Sequence, residues 1–92
     1  MLQKKVRVGG NLPMTRDRVI RMVTVANRFA SHVMLEREGS SVNGKSMLGL
    51  LSITGLSGRE YMLVTSGEDE REALERVSAL LEEISLRILS RL

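Results

Sequence analysis

Apolar positions along the chain change period several times, and each change marks a boundary between elements. Leu2 to Val8 ends in polar–apolar alternation and reads as a strand. Gly9-Gly10-Asn11 breaks it, and Pro13 keeps Leu12 extended. The period then becomes helical. Val19, Met22, Val23 and Ala26 recur at i, i+3, i+4 and i+7, so one face of this helix is buried. Thr15 is placed as its N-cap, Asp17 complements the dipole in its first turn, and Asn27 is placed to stop it. Ser31 to Glu36 reads as a second strand, Glu38-Gly39-Ser40 as its turn, and Ser41-Val42-Asn43 as a short returning strand. Arg59 to Thr65 forms a fourth, with Tyr61, Leu63 and Thr65 on one face and Met62 and Val64 on the other. Acidic start signals at 66–69 and 69–72 open a last helix that runs nearly to the end. Ala73, Leu74, Val77, Leu80, Leu81, Ile84 and Ile88 form its apolar stripe. Leu86, Leu89 and Leu92 widen that stripe late, as overhang from the core or as an oligomer contact.

Between the third and fourth strands lies the stretch Lys45 to Ile53, closed by turns at Gly55 and Gly58. Ser46 has the small hydroxyl preferred at a helix N-cap, and Met47, Leu48, Leu50 and Leu51 follow it. So short a helix cannot bury all of these and Ile53 against one core face. Leu50 and Ile53 are expected inside, with Leu48 and Leu51 partly outside, beside the serine. The element order is β-α-β-β-α-β-α, which predicts an α+β open-faced sandwich in a single domain, residues 1–92: a four-stranded antiparallel sheet with three helices on one face.

Composition narrows the chemistry. Phe29 and Tyr61 are the only aromatic residues among 92, so the core is aliphatic and rich in methionine. The absence of cysteine excludes disulfides and thiolate metal sites and fits a reducing, cytoplasmic setting. No apolar run approaches the ~18 residues of a membrane span, and no membrane partner is expected. His32, the single histidine, lies on a predicted strand; no metal cage or Cys/His nucleophile can be assembled around it, and no cofactor is expected. The carboxylates at Glu68, Asp69, Glu70 and Glu72 are accounted for by the helix dipole. Arg16, Arg18, Arg21 and Arg28 crowd the first helix. With no interleaved aromatics and a net charge of only +3, they read as a solvated basic face and not as a direct nucleic-acid site.

The hydroxyl of Ser46 has two readings. As an N-cap it stabilises by about 1 kcal/mol. As a phosphorylation site it would place roughly −1.5 to −2 charge where the helix dipole favours an anion, with Lys45 beside it.

Several segments carry a family resemblance. Lys45-Ser46-Met47-Leu48-Gly49-Leu50-Leu51-Ser52 resembles the regulatory-serine segment of the HPr phosphocarrier family of the bacterial sugar phosphotransferase system. Gly67-Glu68-Asp69-Glu70-Arg71-Glu72-Ala73-Leu74 resembles the family's last-helix entry, and the similarity runs from Gln3 to about Glu83. Ala26-Asn27-Arg28-Phe29-Ala30-Ser31 together with Val42-Asn43-Gly44-Lys45-Ser46 is most similar to the catabolite-repression HPr-like (Crh) branch. Thr15 falls where the family carries its phosphate-accepting histidine, Asp17 where it carries an arginine and Arg18 where it carries a proline. A threonine phosphoester is too stable to pass its phosphoryl group onward, so the resemblance implies no catalytic residue and no phosphorelay.

It implies instead a non-catalytic regulatory protein. An HPr kinase/phosphorylase would phosphorylate Ser46, and the phospho-form would act as cofactor of a catabolite control transcriptional regulator. Met47, Leu48 and Leu51 would supply the apolar contact, and Arg16, Asp17 and Lys45 the charged rim. The Crh-like branch also lacks the histidine but retains the arginine, so Asp17 sets this chain apart. A weak homodimer belongs to the same picture. The alternative is a diverged paralogue that binds another metabolic enzyme or protein, with Ser46 only a helix cap.

Overall fold

The computed structural model describes residues 1–7, 16–52 and 60–91, with side chains described as far as Leu81. Its elements are β1 (Leu2–Arg7), α1 (Arg16–Ala26), β2 (His32–Arg37), β3 (Ser40–Asn43), α2 (Met47–Leu51), β4 (Glu60–Ser66) and α3 (Glu70–Arg91). The β-α-β-β-α-β-α order matches the periodicity, with shifts of a residue or so at strand ends. Ser40 belongs to β3 and not to the turn. The β2–β3 connection is the two-residue loop Glu38-Gly39, with φ of 49° and 82°. Positive φ at both central residues matches the right-handed twist of the flanking strands, and Gly39 adopts it without strain.

The four strands form one antiparallel sheet in the order β1-β4-β2-β3. Val6 pairs with Tyr61, and on the other side of β4 Leu63 pairs with Leu35 and Thr65 with Val33. Pairing in this register puts Val6, Val33, Leu35, Tyr61 and Leu63 on one face. Against that face pack Val19, Met22 and Ala26 of α1, Leu50 of α2, and Val77 and Leu81 of α3, as one core. All three helices therefore lie on the same side of the sheet. Val64, on the opposite face between Gln3 and Met34, is buried by its neighbours yet stands apart from this core.

Asn27 ends α1 as its position implies. Its backbone N–H and its side-chain Nδ2 both donate to the Val23 carbonyl, at 2.9 and 2.8 Å. In α3, Ala73, Val77 and Leu81 are buried, while Leu74 and Leu80 pack at the core's margin. The side chains of Ile84, Leu86, Ile88, Leu89 and Leu92 lie outside the described set, as do Val8, Gly9, Gly10, Pro13, Ile53, Gly55, Gly58 and Arg59. One expectation needs correction. The Asp69 carboxylate does more than compensate a helix dipole, because it accepts the backbone N–H groups of Ala30 and Ser31.

Candidate phosphorylation and docking site

Ser46 caps α2. Its backbone is extended (φ −102°, ψ 118°), and its Oγ accepts the Gly49 N–H at 3.1 Å. Its carbonyl accepts the Leu50 N–H at 3.0 Å, which closes the first turn. These contacts satisfy one of the amides that a helix start otherwise leaves without a partner. The absence of a side chain at Gly49 lets α2 lie close to β3. A Cβ built there would sit 3.1 Å from Val42 Cγ1 and 3.4 Å from Ser46 Oγ.

The five residues of α2 divide as their spacing requires. Leu50 is fully buried in the core. Leu48 is 81% exposed and Leu51 38%. Met47 takes a middle course: it is half-buried and packs against the core margin, so only part of it faces outward. Ile53 lies outside the described residues.

Arg16 and Asp17 are exposed at the start of α1, the helix that packs against α2. Thr15 is outside the described residues. Ile20, 43% exposed, is an apolar member of this region that the buried-stripe pattern passes over. The available signal was its apolar side chain between Arg16 and Arg21, off the Val19–Met22–Ala26 face.

Lys45 is less available than its place in sequence suggests. Its Nζ donates to the Phe29 carbonyl at 2.6 Å, and its own carbonyl accepts Asn27 Nδ2 at 3.2 Å. His32 is exposed on β2 opposite Ser66. Among the described residues no His, Asp or Glu cluster is suited to a metal ion, and no helix is long and apolar enough to cross a membrane.

The site thus offers a half-exposed hydroxyl at a helix start and two outward leucines on the following turn, with the mixed-charge entry of α1 on the helix that packs against it. A hydroxyl so placed can accept a phosphoryl group. The leucines can bury against a partner.

Comparison with known proteins finds relatives in both sequence and fold. The family model for the PTS HPr component phosphorylation site matches residues 3–83. The chain is 42% identical over 83 residues to the HPr-like protein Crh of Bacillus subtilis, covering 90% of this chain and 98% of Crh. It is 34% identical over 82 residues to the phosphocarrier protein HPr of Treponema pallidum, covering 89% and 93%. Among solved structures, HPr-C-His from Thermoanaerobacter tengcongensis superposes with a TM-score of 0.79 at 28% identity, covering 89% of this chain and 92% of that one. The crystal structure of Bacillus subtilis Crh, a dimer with a swapped domain, superposes with a TM-score of 0.70 at 42% identity, covering 90% and 95%.

Proposed function

The chain belongs to the HPr family, and from that premise we propose that it is a non-catalytic, serine-regulated member that acts in carbon catabolite repression. An ATP-dependent HPr kinase/phosphorylase transfers the γ-phosphoryl group to Ser46 Oγ; the hydroxyl proton leaves and ADP departs. The phospho-form then acts as cofactor of a catabolite control transcriptional regulator. The observation that carries this reading is the pairing of a half-exposed capping hydroxyl at Ser46 with Leu48, 81% exposed two residues on. Exposure of a leucine to that degree gives the fold nothing, whereas burial against a partner is worth about 1.5–3 kcal/mol.

Phosphate at Ser46 stands beside the amides that open α2, where negative charge is favoured. Recognition has two parts: a charged contact to the phosphate and an apolar contact to Leu48 and Leu51, with Met47 adding its outward portion. Arg16 and Asp17 form the rim. Because Thr15 stands in for the relay histidine, Enzyme I and labelled phosphoenolpyruvate should leave the chain unlabelled. An acid-labile phosphate on His32 would overturn that part of the reading. The swapped dimer of the Bacillus subtilis relative makes a weak homodimer the assembly to look for in this chain.

The test is incubation with HPr kinase/phosphorylase and ATP, followed by intact mass and a pull-down with the regulator. One phosphate on Ser46, and regulator retained only by the phosphorylated form, support the proposal. If Ser46 takes no phosphate, the bond from Gly49 is its whole role, and the chain is a diverged paralogue with another protein as partner.

A further inference from the structure

The last turn of α1 contains no basic residue, although carbonyls at a helix end need donors and favour positive charge. Here the donors to the helix-end carbonyls are local, from Asn27, Arg28 and Phe29, and the positive charge comes from Lys45, in a distant part of the chain. Asn27 Nδ2 donates to Val23 O at 2.8 Å and across to Lys45 O at 3.2 Å. In the other direction, Lys45 Nζ donates to Phe29 O at 2.6 Å. Residue 45 is therefore tied twice to the segment that leaves α1, once through its carbonyl and once through its ammonium.

The same residue leads directly into α2. The Lys45 N–H donates to Asn43 Oδ1 at 2.9 Å, the Ser46 N–H to Asn43 O at 3.1 Å, and Ser46 then caps the helix. A continuous set of hydrogen bonds thus joins the end of α1 to the start of α2. The first helix carries Asp17 and Ile20, and the second carries Leu48 and Leu51, so this joint sets how the two parts of the docking surface are held.

Adjacency in sequence suggests that Lys45 would pair with a phosphate on Ser46. The geometry points elsewhere, because the two side chains are engaged with different elements: Ser46 Oγ with Gly49 in α2, and Lys45 Nζ with Phe29 beyond α1. We propose that Lys45 is a positioning residue, whose ammonium locks the entry of α2 to the end of α1 and stays there when Ser46 is phosphorylated. The cation that reads the phosphate then comes from the partner. Two physical terms favour this. A charge-assisted bond to a half-buried carbonyl is stronger than a neutral one, and moving the ammonium would strand that carbonyl. Attraction to an exposed phosphate, by contrast, is weakened by water and salt.

The inference rests on the docking role proposed above, and its test is built so that the two can fail separately. Full-length protein with phosphoserine incorporated at position 46 during translation needs no kinase. It is compared with the same protein carrying Lys45→Met, which keeps the stem without the charge, and Lys45→Arg, which keeps a donor. The phosphate should titrate at the same pH in Lys45→Met as in the parent, followed by phosphorus NMR. The amides of Phe29, Ser46 and Gly49 should exchange about tenfold faster in Lys45→Met and recover most of their protection in Lys45→Arg. Regulator binding should weaken in Lys45→Met and recover in Lys45→Arg. A phosphate titration that moves up in Lys45→Met overturns the inference, since it shows the ammonium serving the phosphate; unchanged amide exchange overturns it equally. If the regulator binds none of the three, the docking role fails, while titration and exchange still decide where the ammonium sits.

Discussion

Asp69 holds Ser31 by two bonds: its Oδ1 accepts both the Ser31 backbone N–H, at 2.9 Å, and the Ser31 hydroxyl. Its Oδ2 accepts the Ala30 N–H at 2.9 Å. One carboxylate thereby joins the connection leading into β2 to the start of α3, where the Asp69 carbonyl also accepts the Ala73 N–H at 2.9 Å. The Ser31 hydroxyl first, and the Ala30 amide next, favour the ionised form and hold the Asp69 carboxyl down at about 2.

That depression makes stability depend on pH in a defined window. The unfolded carboxyl titrates near its ordinary value of about 3.8, so between there and about 2 the unfolded state binds more protons and stability falls as the pH falls. The contribution is complete above the unfolded value and lost as pH drops through the folded one. Asp69→Asn should be less stable than wild type at pH 6, and the gap between their urea midpoints should narrow steadily from pH 4 to pH 2. A gap that is constant over this range would show that the Asp69 charge is not what holds Ser31.

Leu48 and Leu50 stand two residues apart with opposite environments, 81% exposed and fully buried. Leu48→Ala should cost the fold under about 1 kcal/mol, against about 2–5 kcal/mol for Leu50→Ala. Denaturant melts decide it, and equal losses would remove the outward apolar face on which the proposed docking depends.

Ser46→Ala removes the acceptor of the Gly49 N–H. It should destabilise by about 1 kcal/mol, whereas Ser46→Asp, which keeps a capping oxygen, should stay near wild type. Melting both variants measures the cap separately from any role of the phosphate.

Asp17 is exposed on α1, where the family resemblance places an arginine. A carboxylate at a docking rim opposes a partner prepared for phosphate and slows association. Asp17→Arg should strengthen binding of the phospho-Ser46 form to the regulator by a factor of roughly 3 to 30 and leave the unphosphorylated form a poor binder. Titrating both proteins with and without phosphate tests it. Unchanged or weaker binding would place position 17 outside that interface.

Much of this protein is written in local pattern. Alternation sets Tyr61, Leu63 and Thr65 together on one face of β4, and helical spacing selects Val19, Met22, Ala26, Val77 and Leu81 for burial. Ser46 is legible as a cap from its type and position, and the surplus of apolar residues after it already implies that Leu48 and Leu51 stay outside. The segments around residues 45–52 and 67–74 carry the family resemblance without any structure. These features depend on residues within a turn or two of one another, where the period of the backbone fixes which side chains share a face.

The remainder needed the folded chain. That β1 lies beside β4, with Leu2 opposite Thr65, is a pairing between strands far apart in the sequence. Asp69 looks like an ordinary acidic helix start until Ser31 is brought to it, and Lys45 looks like a partner for a phosphate proposed on Ser46 until Phe29 takes its ammonium. A hydrogen bond between residues 31 and 69, or 29 and 45, leaves no periodic trace along the chain. It forms only after the core has closed and set which polar groups lie within reach of each other.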